Sequence, residues 1–173
     1  FSGELEIMRG DLAQIFYEAT RGGTEYIFGD SIAALDDHGD GVAVTFESGH
    51  AREFDIVVGA DGVHSSVRTL AFGPETQVVR HLGMCVSIFT VPNRLGLDYS
   101  GQLYIEPGSV AGVYSARQNR EARAMFYFHA TPEEMACREP MAQKAIVRRH
   151  FAQQGWVVPQ LLADMDEAPD FYF

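Results

Sequence analysis

The stretch DIVVGADGVHSSVR, Asp55 to Arg68, constrains the fold more than any other part of the chain. Ile56 to Ala60 is apolar or tiny without alternation, the pattern of a short strand buried on both faces. It runs into Asp61-Gly62, and Ser65 then stands where a helix N-cap belongs, with a helix expected from about Ser66 to Leu70. Two readings follow. In one, Asp-Gly is simply a turn before a capped helix. In the other, the carboxyl end of a buried strand is a ligand edge, as in open α/β sheets. Asp61 would then accept hydrogen bonds from sugar hydroxyls, and Gly62 would let a ligand approach the backbone. Local mechanics leave both open.

The segments on either side extend this to a mixed α/β fold. Leu12, Ile15, Phe16 and Ala19 share one face of a helix that opens near Arg9-Gly10-Asp11 and stops at Gly22-Gly23. Runs of strand character follow, with Asp40-Gly41 marking a hairpin between two of them. After a boundary near Phe72–Thr76, four short strands around HLGMCVSIFTVP, GQLYIEPG, VAGVYSAR and ARAMFYFHA read as an antiparallel meander. From Thr131 the pattern is helical, with Thr131 as cap, Pro132 at the first position and Glu134 completing a capping box.

The Asp-Gly stretch resembles the fingerprint of FAD-dependent monooxygenases of the para-hydroxybenzoate hydroxylase type: a small residue, Asp, Gly, two variable positions, Ser, one variable position, an apolar residue and Arg. Here these are Ala60, Asp61, Gly62, Ser65, Val67 and Arg68. A second match lies about fifty residues upstream, where Arg9 opens the helix and Leu12 follows at three residues; Phe16 stands where a second Leu is common. The resemblance implies that Arg9, Asp61, Gly62 and Arg68 contact FAD, and that NAD(P)H and O2 serve to hydroxylate or epoxidise a small organic substrate, aromatic or polycyclic. It implies no catalytic acid or base from the chain itself. Residues 1–75 would be part of a Rossmann-like FAD-binding domain, comprising helix, β-meander and buried strand. Residues 76–173 would be a substrate lobe of antiparallel sheet and C-terminal helices. Met84, Val86, Ile88, Tyr104, Tyr114, Phe126 and Phe128 are its candidates either for a cavity wall or for the contact between sheet and helices.

Two family features are missing: the GxGxxG unit whose helix N-terminus holds pyrophosphate, and the later Gly-Asp motif. With Phe1 and PDFYF as its ends, the chain is expected to be a central fragment, inactive alone and self-associating through apolar surfaces. Rival readings are a reductase or dehydrogenase of the same fold, and a non-enzymatic binding module.

Composition narrows the rest. Thirteen basic against 24 acidic residues give a net charge of −11, which opposes binding to nucleic acid or an anionic membrane. Neither a membrane span nor a leader is apparent, and two isolated cysteines, Cys85 and Cys137, suit the cytoplasm. The six histidines lack zinc spacing, so no metal is expected. DMDEAPD (Asp164–Asp170) reads as a solvated acidic turn, and Arg148-Arg149 as the wet side of a helix.

Overall fold

The computed structural model describes residues 7–173. The chain forms two compact units, Phe16–His81 and Leu82–Phe173, the second joined by the described residues up to Ile15. In chain order the elements are α1 (Arg9–Thr20), β1 (Ile32–Asp37), β2 (Val42–Phe46), β3 (Ala51–Phe54), α2 (Ser66–Phe72), α3 (Glu75–Val78), β4 (Met84–Val91), β5 (Gly101–Glu106), β6 (Ser109–Ala116), β7 (Glu121–His129), α4 (Pro132–Met135), α5 (Pro140–Phe151) and α6 (Val158–Glu167).

In the unit Phe16–His81, β1, β2 and β3 form an antiparallel sheet in sequence order. The β1–β2 turn is closed by His38 N–H donating to the Gly41 carbonyl at 3.2 Å, with Gly39 at φ 89°. Val44 of β2 is buried while its neighbour Thr45 is exposed, as alternation requires. The expected strand at Ile56–Ala60 does not form. That segment joins no strand pair, and Ile56 and Val58 are 77% and 80% exposed. The apolar run meets the side-chain requirement for a buried strand, but no strand lies beside it among the described residues. Without a partner its amides and carbonyls have no ladder to join. The helix α1 forms where periodicity places it, yet none of its residues is buried.

The second unit is a four-stranded antiparallel sheet in the order β4-β7-β6-β5. Only β5, β6 and β7 are a meander; β4 pairs with β7 instead of β5. The sequence spacing shows why. Tight turns join β5 to β6 and β6 to β7, whereas residues 92–100 are too many for a hairpin and carry the chain from one sheet edge to the other. Asn93 braces this crossing by accepting from Leu97 N–H and donating to the Leu97 carbonyl, both at 2.9 Å.

One face of the sheet is closed by α5 and α6. Phe89, Ala124, Phe126 and Phe128 meet Val147, Phe151, Leu161 and Met165 in a single core. Phe126 lies edge-on to Phe151 with ring centroids 4.5 Å apart and stacks on Phe89 at 5.8 Å. The acidic segment from Asp164 to Glu167 is the last turn of α6 and not a turn in solvent. Val158, Leu161, Leu162 and Met165 are all buried at helical spacing, which carries the helix through the acids. Asp164 pairs with Arg94, and Asp166 with Arg148 at 2.8 Å.

The capping box at α4 is present. Thr131 Oγ1 accepts from Glu134 N–H at 3.3 Å, and Glu134 accepts from Thr131 N–H at 2.8 Å. Glu134 also pairs with Arg149 and, at 3.0 Å, with His150. The Thr131 amide first, then His150 and Arg149, lower its pKa to about 2 against the opposing effect of burial. Its contribution is therefore fully present above the ordinary glutamate range and is lost as pH falls toward about 2.

Two stability predictions result. Phe126→Ala should destabilise the folded chain by about 3–5 kcal/mol in denaturant titration, through lost transfer energy and the cavity left behind. Glu134→Gln should flatten the dependence of stability on pH between the ordinary glutamate value and about 2, measured by the same titration across that window.

Candidate functional site

Among the described residues each unit carries a cavity. The first, of about 690 Å³, is in the unit Phe16–His81, where Asp61, Gly62, Ser65, Val67 and Arg68 form part of its wall opposite Leu35 and Val42 of the small sheet. The local structure explains how these residues come together. Ser65 caps α2 by accepting from Arg68 N–H at 2.9 Å. Its hydroxyl donates to Asp61 Oδ1, and Asp61 Oδ2 accepts from Val67 N–H at 3.1 Å. The Arg68 guanidinium reaches back to donate to the Val63 carbonyl at 2.7 Å. One carboxylate thus folds the loop from Asp61 to Val67 around itself.

The same bonds set the electrostatics. The Ser65 hydroxyl, then the Val67 amide, hold the Asp61 carboxyl below its usual range, so it is an anion at neutral pH. The carboxylate is exposed, and two oxygens carry about four acceptor sites between them, so capacity for a ligand remains. Gly62 adopts φ 88°, and nothing lies within 4 Å of where a Cβ would be. It is a conformational requirement of the turn that also leaves the backbone open to approach. Arg68 Nε is buried without a hydrogen-bond partner. Gly59 is required for a different reason: a Cβ there would sit 2.8 Å from Val67 Cγ1. Sequence reasoning did not single it out.

Arg9 is not part of this wall. It stands exposed at the first position of α1, in the other unit, with Met8 and Asp11 on either side in the lining of the second cavity. That cavity, of about 1100 Å³, opens on the sheet face opposite α5 and α6. Ile88, Leu103, Val110 and Met125 form an apolar floor, and Tyr99, Tyr114 and Tyr127 stand among the lining residues. Of the residues expected at a pocket wall or a helix contact, Ile88 and Tyr114 line the cavity. Phe126 and Phe128 are in the core instead, and Tyr104 stacks on Trp156 at 6.1 Å. Met84 and Val86 line neither cavity. Leu103, Met125 and Tyr127 were missed, although strict alternation from Phe126 and Phe128 would have found the last two.

The cavity rim at one end is a turn, Arg117 to Arg120, in which Arg117, Gln118 and Asn119 all have positive φ (47°, 58° and 64°). Asn119 fixes it by accepting from Tyr99 N–H at 2.9 Å and donating to Asp98 at 2.5 Å. Non-glycine residues held in this region persist only where the surroundings determine them, and such positions concentrate at ligand sites.

No protein-family model matches the chain. Among curated proteins it is 52% identical over 172 residues to an uncharacterized protein of Mycobacterium tuberculosis, covering 99% of this chain and 46% of that protein. It is 34% identical over 170 residues to a flavin-dependent monooxygenase of Legionella longbeachae, covering 98% of this chain and 43% of the relative. The chain is homologous to flavin-dependent monooxygenases. It spans just under half the length of these relatives. Among solved structures it matches the tetracycline destructase Tet(55), with a TM-score of 0.82 and 31% identity over 96% of this chain and 44% of that one. The fold also matches Klebsiella pneumoniae HpxO complexed with FAD and uric acid, at a TM-score of 0.64 and 20% identity, over 96% of this chain and 42% of that one. Among the described residues no helix is long and apolar enough to cross a membrane.

Because Ser65 serves both the helix cap and Asp61, Ser65→Ala should cost about 0.5–2 kcal/mol of stability, the range for lost N-caps. Thermal unfolding monitored by circular dichroism measures it.

Proposed function

We propose that this chain is the part of an FAD-dependent monooxygenase that contributes the Asp-Gly side of the cofactor site and the sheet wall of the substrate site. The observation that carries the reading is the convergence of Asp61, Gly62 and Arg68 on one cavity: an ionised acceptor, an open backbone and a buried guanidinium nitrogen without a partner. That donor and acceptor set suits a ribose and pyrophosphate, which offer hydroxyl donors and anionic oxygens. The homology to flavin-dependent monooxygenases supports the same assignment.

Within that function Asp61 binds and orients sugar hydroxyls, while Gly62 admits the cofactor to the backbone. Arg68 offers charge to the phosphates, and Arg9 is assigned to the cofactor as well. Bound FAD would supply electron transfer from NAD(P)H and activation of O2; the protein supplies position, electrostatics and exclusion of water. The sheet cavity receives the organic substrate, aromatic or polycyclic, on its apolar floor. The similarity to a tetracycline destructase favours a substrate with more than one ring.

The test is made on the full-length gene product that carries this chain. It should purify with FAD and, given NAD(P)H, O2 and an aromatic substrate, yield an oxygenated product. NAD(P)H-driven reduction of an added electron acceptor, with neither hydrogen peroxide nor oxygenated product across a broad aromatic panel, would instead identify a reductase. Asp61→Ala should lower FAD retention by roughly tenfold or more, the scale of a lost charge-assisted hydrogen bond. Flavin released on denaturation, counted per chain, reads this directly, and unchanged flavin content would remove Asp61 from the site.

A further inference from the structure

Beneath the floor of the sheet cavity, under Leu103 and Met125, lies a glycine that the backbone does not need. Gly112 is buried in the middle of β6, in ordinary strand conformation, opposite Leu103 of β5 and Met125 of β7. The cavity-facing neighbours on its own strand, Val110 and Tyr114, carry full side chains. A Cβ at Gly112 would lie 2.7 Å from Leu103 Cδ2 and 3.3 Å from Met125 Cε. Both contacts are the tips of flexible side chains that themselves line the cavity. They would yield by swinging into the open space. Glycine here keeps those two side chains down and the floor low.

The size and polarity of the space add to this. At about 1100 Å³ it is slightly above the roughly 300–1,000 Å³ typical of small-molecule pockets, so it has room for more than a single ring. The lining contains one acidic residue, Asp11, against Arg117 and Arg120 in the turn latched by Asn119. Arg117 is partly engaged by Glu121 at 3.5 Å, whereas Arg120 has no carboxylate partner among the described residues. In a chain of net charge −11 this is a local cationic end.

We propose that the cavity takes a flat, multi-ring organic anion, with Gly112 setting the depth at which the rings lie and Arg120 meeting the anionic oxygen. The ligand's role as substrate rests on the flavoenzyme reading above; its binding rests on the cavity alone. Depth is then a specificity device. A thin, extended ring system gains contact across Ile88, Leu103, Val110 and Met125, and any side chain at Gly112 lifts part of that floor against it.

Calorimetric titration of the full-length protein with anthracene-2-carboxylate, its carboxamide and benzoate tests this without turnover. The wild type should bind the anthracene carboxylate more tightly than either of the others. Gly112→Ala should weaken that binding by roughly tenfold, the scale of one misplaced methylene in an apolar pocket, and affect benzoate far less. Leu103→Phe raises the floor from a strand-edge position without an added atom at Gly112, and should act in the same direction if Gly112→Ala folds poorly. Arg120→Gln should weaken the carboxylate by roughly twofold to fivefold, the scale of an exposed ion pair, and leave the carboxamide unchanged. Equal affinity for all three probes, or equal loss for all three in Gly112→Ala and Leu103→Phe, would overturn the assignment. Flavin content measured on the same samples separates the two claims. Protein that shows this probe pattern without flavin would sink the flavoenzyme reading and leave the cavity standing. Flavin-loaded protein that ignores the anthracene carboxylate would do the reverse.

Discussion

The packing of Phe126 and Phe128 on Phe151 is the contact on which the second unit depends. It commits one face of β7 to the helices, and period-two alternation then leaves no choice for the residues between. Ala124, Phe126 and Phe128 go into the core, while Met125 and Tyr127 go to the opposite face. Because β7 is central, hydrogen-bonded to β4 on one side and β6 on the other, its alternation fixes the register of both. A cavity wall is therefore a by-product of a well-closed core. The apolar residues not needed against α5 and α6 are displayed together on the other side.

The Asp-Gly loop works differently. There the organising force is one carboxylate accepting from a side-chain hydroxyl and a backbone amide, with the hydroxyl also capping the helix that follows. The two readings of this stretch are consequently not exclusive. The bonds that make Asp61 a structural residue also keep it ionised and hold it at the cavity wall. Preorganisation of this kind lowers the entropy a ligand would otherwise lose in ordering the loop. In the proposed function the structural bonds are the means by which a fingerprint of short, polar residues becomes a binding surface.

Much of this was legible in the sequence where one local rule decides the outcome. Ser65 and Thr131 as caps, the Asp40-Gly41 hairpin and the helix from Arg9 each follow from neighbours within a few residues. Errors arose where the outcome depends on a partner far away in sequence. Ile56–Ala60 has the composition of a buried strand, but composition cannot supply a neighbouring strand. The pairing of β4 with β7 depends on the length of the connection at residues 92–100, not on the strands themselves. The acids of α6 were misread because their charge outweighed the apolar spacing that runs beneath them. Of the residues around the two cavities, the fingerprint singles out Asp61, Gly62 and Arg68 in the wall of the first, whereas nothing in the sequence singles out Gly112 or the Arg117–Arg120 turn. Their significance depends on which face of the sheet the helices take.

The central claim is that the Asp61 cavity contributes to a flavin site and the sheet cavity to a substrate site of one enzyme. A crystal structure of the full-length protein with FAD bound tests it most directly. Cofactor density within hydrogen-bonding distance of Asp61 and the Gly62 backbone is the predicted result. Flavin bound with Asp61 engaged only by Ser65 and Val67 would contradict it.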